Sequence, residues 1–216
     1  MNDVVKRKYA SPARAEAARR TRTRIRDAAA GLFAQQGYTA TSVRQIAATA
    51  GVAARTVFAV YESGKPQLFD EALTAALGGD EALTPLDKRP TTFSALEAHD
   101  AGQVLDAIAD FACSLYDRAG ALIAAYQESC GADAEMRRHA QVGLRNATAI
   151  MQVIAEELHR RQVLLSGLTP EHATDLLTAL CSPQIHRQLR HERGWTADEY
   201  RLWLARMLKA ALLEST

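Results

Sequence analysis

Ala47, Gly51 and Val57 stand at intervals of four and six residues, a spacing that suits two short helices joined by a tight turn. The pattern needs a small residue where the helices cross, a glycine that can take positive φ, and an apolar β-branched anchor in the second helix. Arg44 precedes the turn and Arg55 follows it. Long cationic side chains at these places can bind phosphate oxygens or base edges. The spacing therefore predicts a helix-turn-helix and favours recognition of a polyanion.

Charge is distributed unevenly along the chain of 216 residues, whose formal net charge is only +1. Residues 1–60 carry a net charge of +8, and the remaining residues carry −7. A basic head on an acidic body is typical of a polyanion-binding module joined to an unrelated domain. A solvated basic tail before an ordinary helical domain is the alternative, and charge by itself does not decide between them.

The second helix of a helix-turn-helix lies in the major groove, with its first residues facing base edges. Here those residues are Ala53, Ala54, Arg55 and Thr56. Arg55 is long enough to reach guanine O6 and N7, and Thr56 can reach a phosphate or a base edge. Arg44 is expected at a phosphate or at the edge of the groove.

Phosphate contacts are also expected on both sides of this motif. Thr41 and Ser42 cap the helix that begins near Val43, and the backbone amides there suit an anion. Lys65, which opens the fourth helix, is another phosphate candidate.

Apolar residues recur at helical spacing almost throughout, and no strand-like alternation of any length is present. The chain is therefore predicted to be an all-α protein of about nine helices. Gly37 is expected to end the first helix, while Thr169-Pro170 and the capping box Thr196-Glu199 are expected to begin the last two. The predicted helices cover residues 13–37, 43–50, 53–61, 65–77, 100–119, 121–130, 133–164, 169–194 and 196–213, with an irregular connection over residues 78–100. Pro183 is expected to kink or end the helix at 169–194, which then resumes as far as Gly194.

Composition excludes several classes of protein. No apolar run approaches the roughly 18 residues of a membrane span, and the amino terminus lacks the apolar segment of a secretory signal. Cys113, Cys130 and Cys181 are odd in number and widely spaced, which favours buried thiols in a reducing compartment over a disulfide framework. Redox sensing by these cysteines stays open. The expected location is the cytoplasm, with no membrane partner.

Catalytic and metal-binding patterns are not evident. There is no nucleophile elbow, phosphate-binding glycine loop or HExxH motif. His186 and His191 are five residues apart, which would separate them by more than a quarter turn on an α-helix, and no acid or cysteine completes a convincing metal tetrad. The sequence therefore predicts neither an enzyme nor a metal site, and no cofactor.

Residues 33–47, followed by Ala50-Gly51-Val52 and Thr56-Val57-Phe58, resemble the DNA-binding domain of tetracycline-repressor (TetR) family regulators. Residues 179–213 resemble one subgroup of that family. The resemblance implies a homodimer paired through the last two helices, a helical domain with a pocket for a small effector, and double-stranded DNA as partner. It further implies phosphate contacts from the family positions held here by Thr41, Phe58, Tyr61 and Lys65. Phe58 stands where the family usually has tyrosine, and the segment from Tyr61 to Lys65 is one residue longer than the usual spacing.

These observations predict a flexible basic arm at residues 1–12, a DNA-binding domain at 13–64, and an effector-binding and dimerisation domain at 65–216. An effector pocket is expected in the middle helices, where core packing is the alternative role of each candidate. The candidates for the pocket are Phe111, Tyr116, Tyr126, His139 and Met151, joined by Cys113. Those for the dimer interface are Leu176, Leu177, Leu180, Tyr200, Trp203, Leu204 and Met207.

The predicted function is a DNA-binding transcriptional regulator, a repressor that binds a palindromic operator as a dimer and is released by a ligand. An activator of the same fold is the main alternative. A helical enzyme, or a membrane-surface protein that uses the basic arm, are the others.

Overall fold

The computed structural model describes residues 12–78 and 100–214. Most of the predicted arm (residues 1–11) and most of the predicted irregular connection (residues 79–99) lie outside the described residues. The described helices are α1 (Pro12–Ala40), α2 (Val43–Thr49), α3 (Ala54–Val60), α4 (Lys65–Gly78), α5 (Ala101–Ser129), α6 (Ala134–Arg160), α7 (Pro170–Leu180), α8 (Pro183–Arg187) and α9 (Ala197–Leu212), with a π-helical segment at Gln188–Glu192. The predicted all-α class is confirmed over these residues.

Two compact units make up the chain, and the boundary between them falls between Ala72 and Leu73, within α4. The sequence-based boundary lies somewhat earlier, at the start of the same helix. The amino-terminal unit contains α1 to α3 and the first half of α4, and the carboxy-terminal unit contains the rest.

The core of the amino-terminal unit is built from apolar residues at helical spacing. Ile25, Ala29 and Phe33 of α1 are fully buried, as the stripe predicts. Phe33, Tyr38 and Phe69 form an aromatic cluster, with ring centroids 5.2–5.6 Å apart. The rings of Phe33 and Tyr38 can meet because Gly37 leaves the helical conformation at φ 80° and ψ 169°, which breaks α1 where the sequence predicts.

Side-chain caps fix where the helices begin. Ser42 and Gln45 form a capping box at α2, and Thr196 and Glu199 form another at α9. Thr169 caps α7, and Pro170 follows at the first helical position. The predicted starts of α7 and α9 are therefore confirmed.

The carboxy-terminal unit is a bundle in which α5 packs against α6 and α9, and α7 packs against both α6 and α9. The sequence predicts two helices at 100–119 and 121–130, but the structure has one continuous α5. Gly120 does not break it, since a glycine costs only about 1 kcal/mol in a helix, and the buried residues on both sides of it outweigh that cost.

None of the described helices combines the length and apolar character needed to cross a bilayer.

Candidate nucleic-acid interface

The turn between α2 and α3 has the geometry that its residue types predict. Gly51 has φ 62°, and its amide donates to the carbonyl of Ala48 at 3.1 Å. The amide of Val52 donates to the carbonyl of Ala47 at 2.9 Å. Ala47 and Val57 are both buried. Ala47 at the helix crossing, Gly51 in the turn and Val57 in the second helix therefore each have the role that the helix-turn-helix requires.

One face of α2 and α3 is exposed and carries the two predicted arginines. Arg44 and Arg55 are both exposed, and neither forms an ion pair within the described part of the chain. Ala53 is exposed as the N-cap residue of α3, and Ala54 and Thr56 are half-buried. Phe58 is 53% exposed. These side chains surround the start of α3, the part of a recognition helix that faces base edges.

Ser42 lies at the rim of this face and caps α2. Its Oγ accepts the amide of Gln45 at 3.3 Å, and its own amide donates to Gln45 Oε1 at 2.8 Å. These two amides are satisfied within the capping box, so they are not available to bind phosphate. The exposed Ser42 remains placed for a contact of its own.

Three other predicted phosphate ligands lie inside the amino-terminal unit rather than on this face. Thr41 is 2% exposed, and its Oγ1 donates to the carbonyl of Gly37 at 2.8 Å. Lys65 is half-buried: its Nζ lies 4.1 Å from the centre of the Tyr38 ring and donates to the carbonyls of Tyr38 and Thr41. In this arrangement Thr41 and Lys65 fasten the segment between α1 and α2 to the start of α4.

Tyr61 is the third of these residues and is completely buried. Its hydroxyl lies 3.0 Å from Glu71 Oε1 and 3.2 Å from the carbonyl of Arg22. The Arg22 guanidinium forms an ion pair with Glu71 and stands 4.8 Å from the centre of the Tyr61 ring. Burial, and then the negative charge of Glu71, raise the pKa of Tyr61 well above its ordinary value. The expected phosphate contact of Tyr61 is thus replaced by a link between α1, α3 and α4.

The predicted dimer residues separate into two groups. Leu177, Tyr200 and Leu204 are fully buried within their own subunit, so their side chains cannot face a partner. Leu176 and Met207 are 36% and 37% exposed, and Leu180 and Trp203 are half-buried. Leu202, which the sequence analysis does not single out, is 54% exposed. The sequence feature that could have identified Leu202 is its position outside the apolar stripe that α9 buries.

The predicted pocket residues lie at different places along α5 and α6. Tyr116 is buried, and its hydroxyl donates to the carbonyl of Cys181 at 2.6 Å, which ties α5 to the end of α7. Phe111 is half-buried on another part of α5. Tyr126 is buried and stacks on His139 of α6, with centroids 6.3 Å apart. Met151 of α6 is also buried.

The family comparison matches residues 25–72 to the model described as bacterial regulatory proteins, tetR family. No curated protein matches the chain. Among solved structures, NalD of Pseudomonas aeruginosa, the secondary repressor of the MexAB-OprM multidrug efflux pump, is 24% identical over 92% of this chain and all of its own, with a TM-score of 0.69. A TetR-family transcriptional regulator from Mesorhizobium loti is 18% identical over 90% of this chain and 96% of its own, with a TM-score of 0.64. FadR of Bacillus subtilis, solved with stearoyl-CoA, is 18% identical over 88% of this chain and 98% of its own, with a TM-score of 0.66.

These structural likenesses extend through both units, and the family match falls on the helix-turn-helix described above. Residues 25–72 are therefore similar to the DNA-binding domain of tetR-family regulators, and the fold of the described residues is that of solved regulators of this type.

Proposed function

We propose that this protein is a transcriptional regulator that binds a palindromic operator as a homodimer, represses from it, and is released by a small ligand. The observation that carries the proposal is the pair of exposed arginines, Arg44 and Arg55, at a rigid turn in a strongly basic segment. Arg55 reads guanine through O6 and N7, while Arg44 and Ser42 contact the backbone. Phe58 contributes an apolar contact at the DNA surface.

A second copy of the chain is the proposed partner of the outer faces of α7 and α9. The two helices pack against each other, and each leaves apolar side chains uncovered. Leu176 and Leu180 lie on α7, and Leu202, Trp203 and Met207 lie on α9. Pairing through these two helices makes a four-helix interface, in which a two-fold axis matches the symmetry of a palindrome.

The effector is proposed to bind in the carboxy-terminal unit between α5 and α6, beside Tyr126, His139 and Met151. Mostly apolar side chains with one imidazole suit an apolar or aromatic ligand. The neighbour FadR was solved with stearoyl-CoA, and the acyl chain of that molecule supports a ligand with an apolar part. The neighbour NalD, named a repressor, supports repression. A ligand that favours one separation of the two DNA-binding units shifts the population away from the DNA-bound form.

The proposal is tested by binding to a palindromic fragment from upstream of the gene, measured by fluorescence anisotropy at increasing KCl. The logarithm of the affinity should fall linearly with the logarithm of the salt concentration, at about −0.9 per phosphate neutralised. Arg55→Ala should weaken binding by about 1–3 kcal/mol per half-site. The matched control is Arg145→Ala, which removes an exposed arginine from α6.

Binding that is indifferent to salt, or an Arg55→Ala variant that binds like Arg145→Ala, would contradict the proposal. A reporter placed behind the operator then separates repression from activation, since loss of the protein should raise expression.

A further inference from the structure

Three side chains with metal-ligand chemistry meet in the carboxy-terminal unit, and none of them is used in the proposed DNA or effector site. Cys113 and Asp117 lie one turn apart on α5, and His186 lies on α8. Asp117 Oδ1 is 3.1 Å from His186 Nε2, and Cys113 Sγ donates to Asp117 Oδ2 at 3.8 Å. One ligand atom from each residue lies within 4.8 Å of the other two. The sequence could not join His186 to the other two, because His186 lies 69 positions after Asp117.

The cluster is enclosed but has an opening. Cys113 is 5% exposed and His186 is 1% exposed, while the Asp117 side chain is 34% exposed. Two ligands are therefore held in the core, and the third lies at the surface, where an ion can enter.

The π-helical segment brings the side chains of His186 and His191 closer together than an α-helix would. An α-helix would separate His186 and His191 by more than a quarter turn, but the segment Gln188–Glu192 has i to i+5 hydrogen bonding, as from Arg193 N to Gln188 O at 3.0 Å. The ring of His191 consequently meets the edge of the His186 ring, with centroids 5.7 Å apart. Such π-segments occur frequently at functional sites.

Tyr200 supplies an independent observation. It is completely buried, and its ring packs edge-on against His186 with centroids 4.9 Å apart. Its hydroxyl has no hydrogen-bond partner among the described residues. This ring contact with His186 places Tyr200 beside the cluster. Buried polar groups are rarely left unpaired, so an unpaired hydroxyl here points to a missing ligand.

We propose that Cys113, Asp117 and His186 bind a divalent transition-metal ion of the borderline-soft class, represented by Zn²⁺. Thiolate, carboxylate and imidazole are the ligands that Zn²⁺ takes, and three protein ligands leave a fourth position for water. Tetrahedral zinc places its ligand atoms about 3–4 Å apart, from Zn–ligand distances of about 2.0–2.3 Å. The cluster is already near that geometry. A metal-bound water gives the Tyr200 hydroxyl the partner that it lacks.

The proton balance of binding is simple. The Cys113 thiol releases one proton to solvent and becomes the thiolate ligand. His186 stays neutral, with its proton on Nδ1 and its Nε2 on the metal. Asp117 coordinates the metal through Oδ2. Its Oδ1 still accepts a hydrogen bond from Arg190 Nη2, which is 3.2 Å away. That ion pair fixes the carboxylate in place.

The test is titration of the chelator-treated, full-length protein with Co²⁺, an optical substitute for Zn²⁺. A thiolate ligand gives a charge-transfer band in the near ultraviolet, and a tetrahedral site gives strong visible d–d bands. Both should saturate at one ion per chain, and Zn²⁺ should displace Co²⁺. Asp117→Asn should weaken binding at least about tenfold, since removal of even an outer-shell partner of a metal ligand costs about 10–100-fold.

Cys113→Ser exchanges one atom and should abolish the thiolate band, whereas the matched control Cys130→Ser should keep it. Circular dichroism of each metal-free variant verifies that it is folded. The proposal is overturned if Co²⁺ gives no thiolate band, if the band survives in Cys113→Ser, or if it disappears equally in Cys130→Ser. DNA binding has no part in this measurement, so its outcome is independent of the proposed function.

Discussion

The Tyr61 hydroxyl could either stabilise the fold or bind DNA phosphate, and the substitution Tyr61→Phe distinguishes these two roles. The substitution removes only the hydroxyl, which lies 3.0 Å from Glu71 Oε1 in a fully buried position. A hydrogen bond to a charged group contributes about 1.5–3 kcal/mol to stability. Glu71 keeps its ion pair with Arg22 and is 26% exposed at its side chain, so water offsets part of the loss. We therefore expect the free energy of unfolding to fall by about 1–2 kcal/mol.

The assay is urea unfolding followed by circular dichroism, together with operator affinity measured where the variant is fully folded. Tyr61→Phe should keep the wild-type affinity and the wild-type salt dependence. The reciprocal control is Arg55→Ala, which should lose affinity but change stability by no more than about 0.5 kcal/mol, as exposed substitutions do. Unchanged stability with weaker binding and a smaller salt slope in Tyr61→Phe would show that its hydroxyl contacts phosphate, and would refute the structural role.

Three further predictions concern the interface and the turn. Phe58→Tyr adds a hydroxyl to a ring that is 53% exposed, so it should tighten operator binding several-fold without changing stability. Equal operator affinities of Phe58→Tyr and the wild type in fluorescence anisotropy would show that residue 58 does not contact DNA. Gly51→Ala should destabilise the amino-terminal unit by about 1–2 kcal/mol, because Gly51 has φ 62° and its added Cβ meets open space, so that only backbone strain acts. Urea unfolding measures this, and a wild-type midpoint would argue against a strained turn. Leu202→Glu should convert the dimer to a monomer in sedimentation. Leu144→Glu, at a residue that is 63% exposed on α6, should leave the protein dimeric. The opposite pattern would show that the dimer interface lies on α6 and not on α9.

Local signals in the sequence predicted much of the fold. The positive φ of Gly51, the side-chain cap at Ser42, the capping box at Thr196 and the buried stripe of α1 each depend on residues within one or two turns of each other. Such short-range chemistry can be seen in the order of the residues. The exposed positions of Arg44 and Arg55 followed from the same helical periodicity.

Contacts between distant residues could not be predicted in this way. The ion pair of Arg22 with Glu71 spans 49 positions, and it is this pair that engages the Tyr61 hydroxyl inside the unit. Lys65 likewise reaches back to the carbonyl of Tyr38, 27 residues earlier. The family resemblance implied phosphate ligands at both positions, but a tyrosine or a lysine side chain can lie in the core as well as at the surface, and the local sequence does not decide between the two.

The contact between His186 and His191 was missed for a different reason. The spacing of His186 and His191 was interpreted on an α-helix, whereas the chain forms a π-helical turn there. Periodicity predicts that a helix is present but does not distinguish a hydrogen-bonding pattern of i to i+4 from one of i to i+5.

The central claim is that two copies of α3 enter successive major grooves of one duplex, with Arg55 at guanine. Methylation interference at guanine N7 tests this directly, on an operator selected from random DNA by the full-length protein. We predict two symmetric groups of interfering guanines, about 10–10.5 base pairs apart or a multiple of that, with the interference at one guanine in each half lost in Arg55→Ala. Interference confined to a single group, or a pattern unchanged by Arg55→Ala, would contradict it.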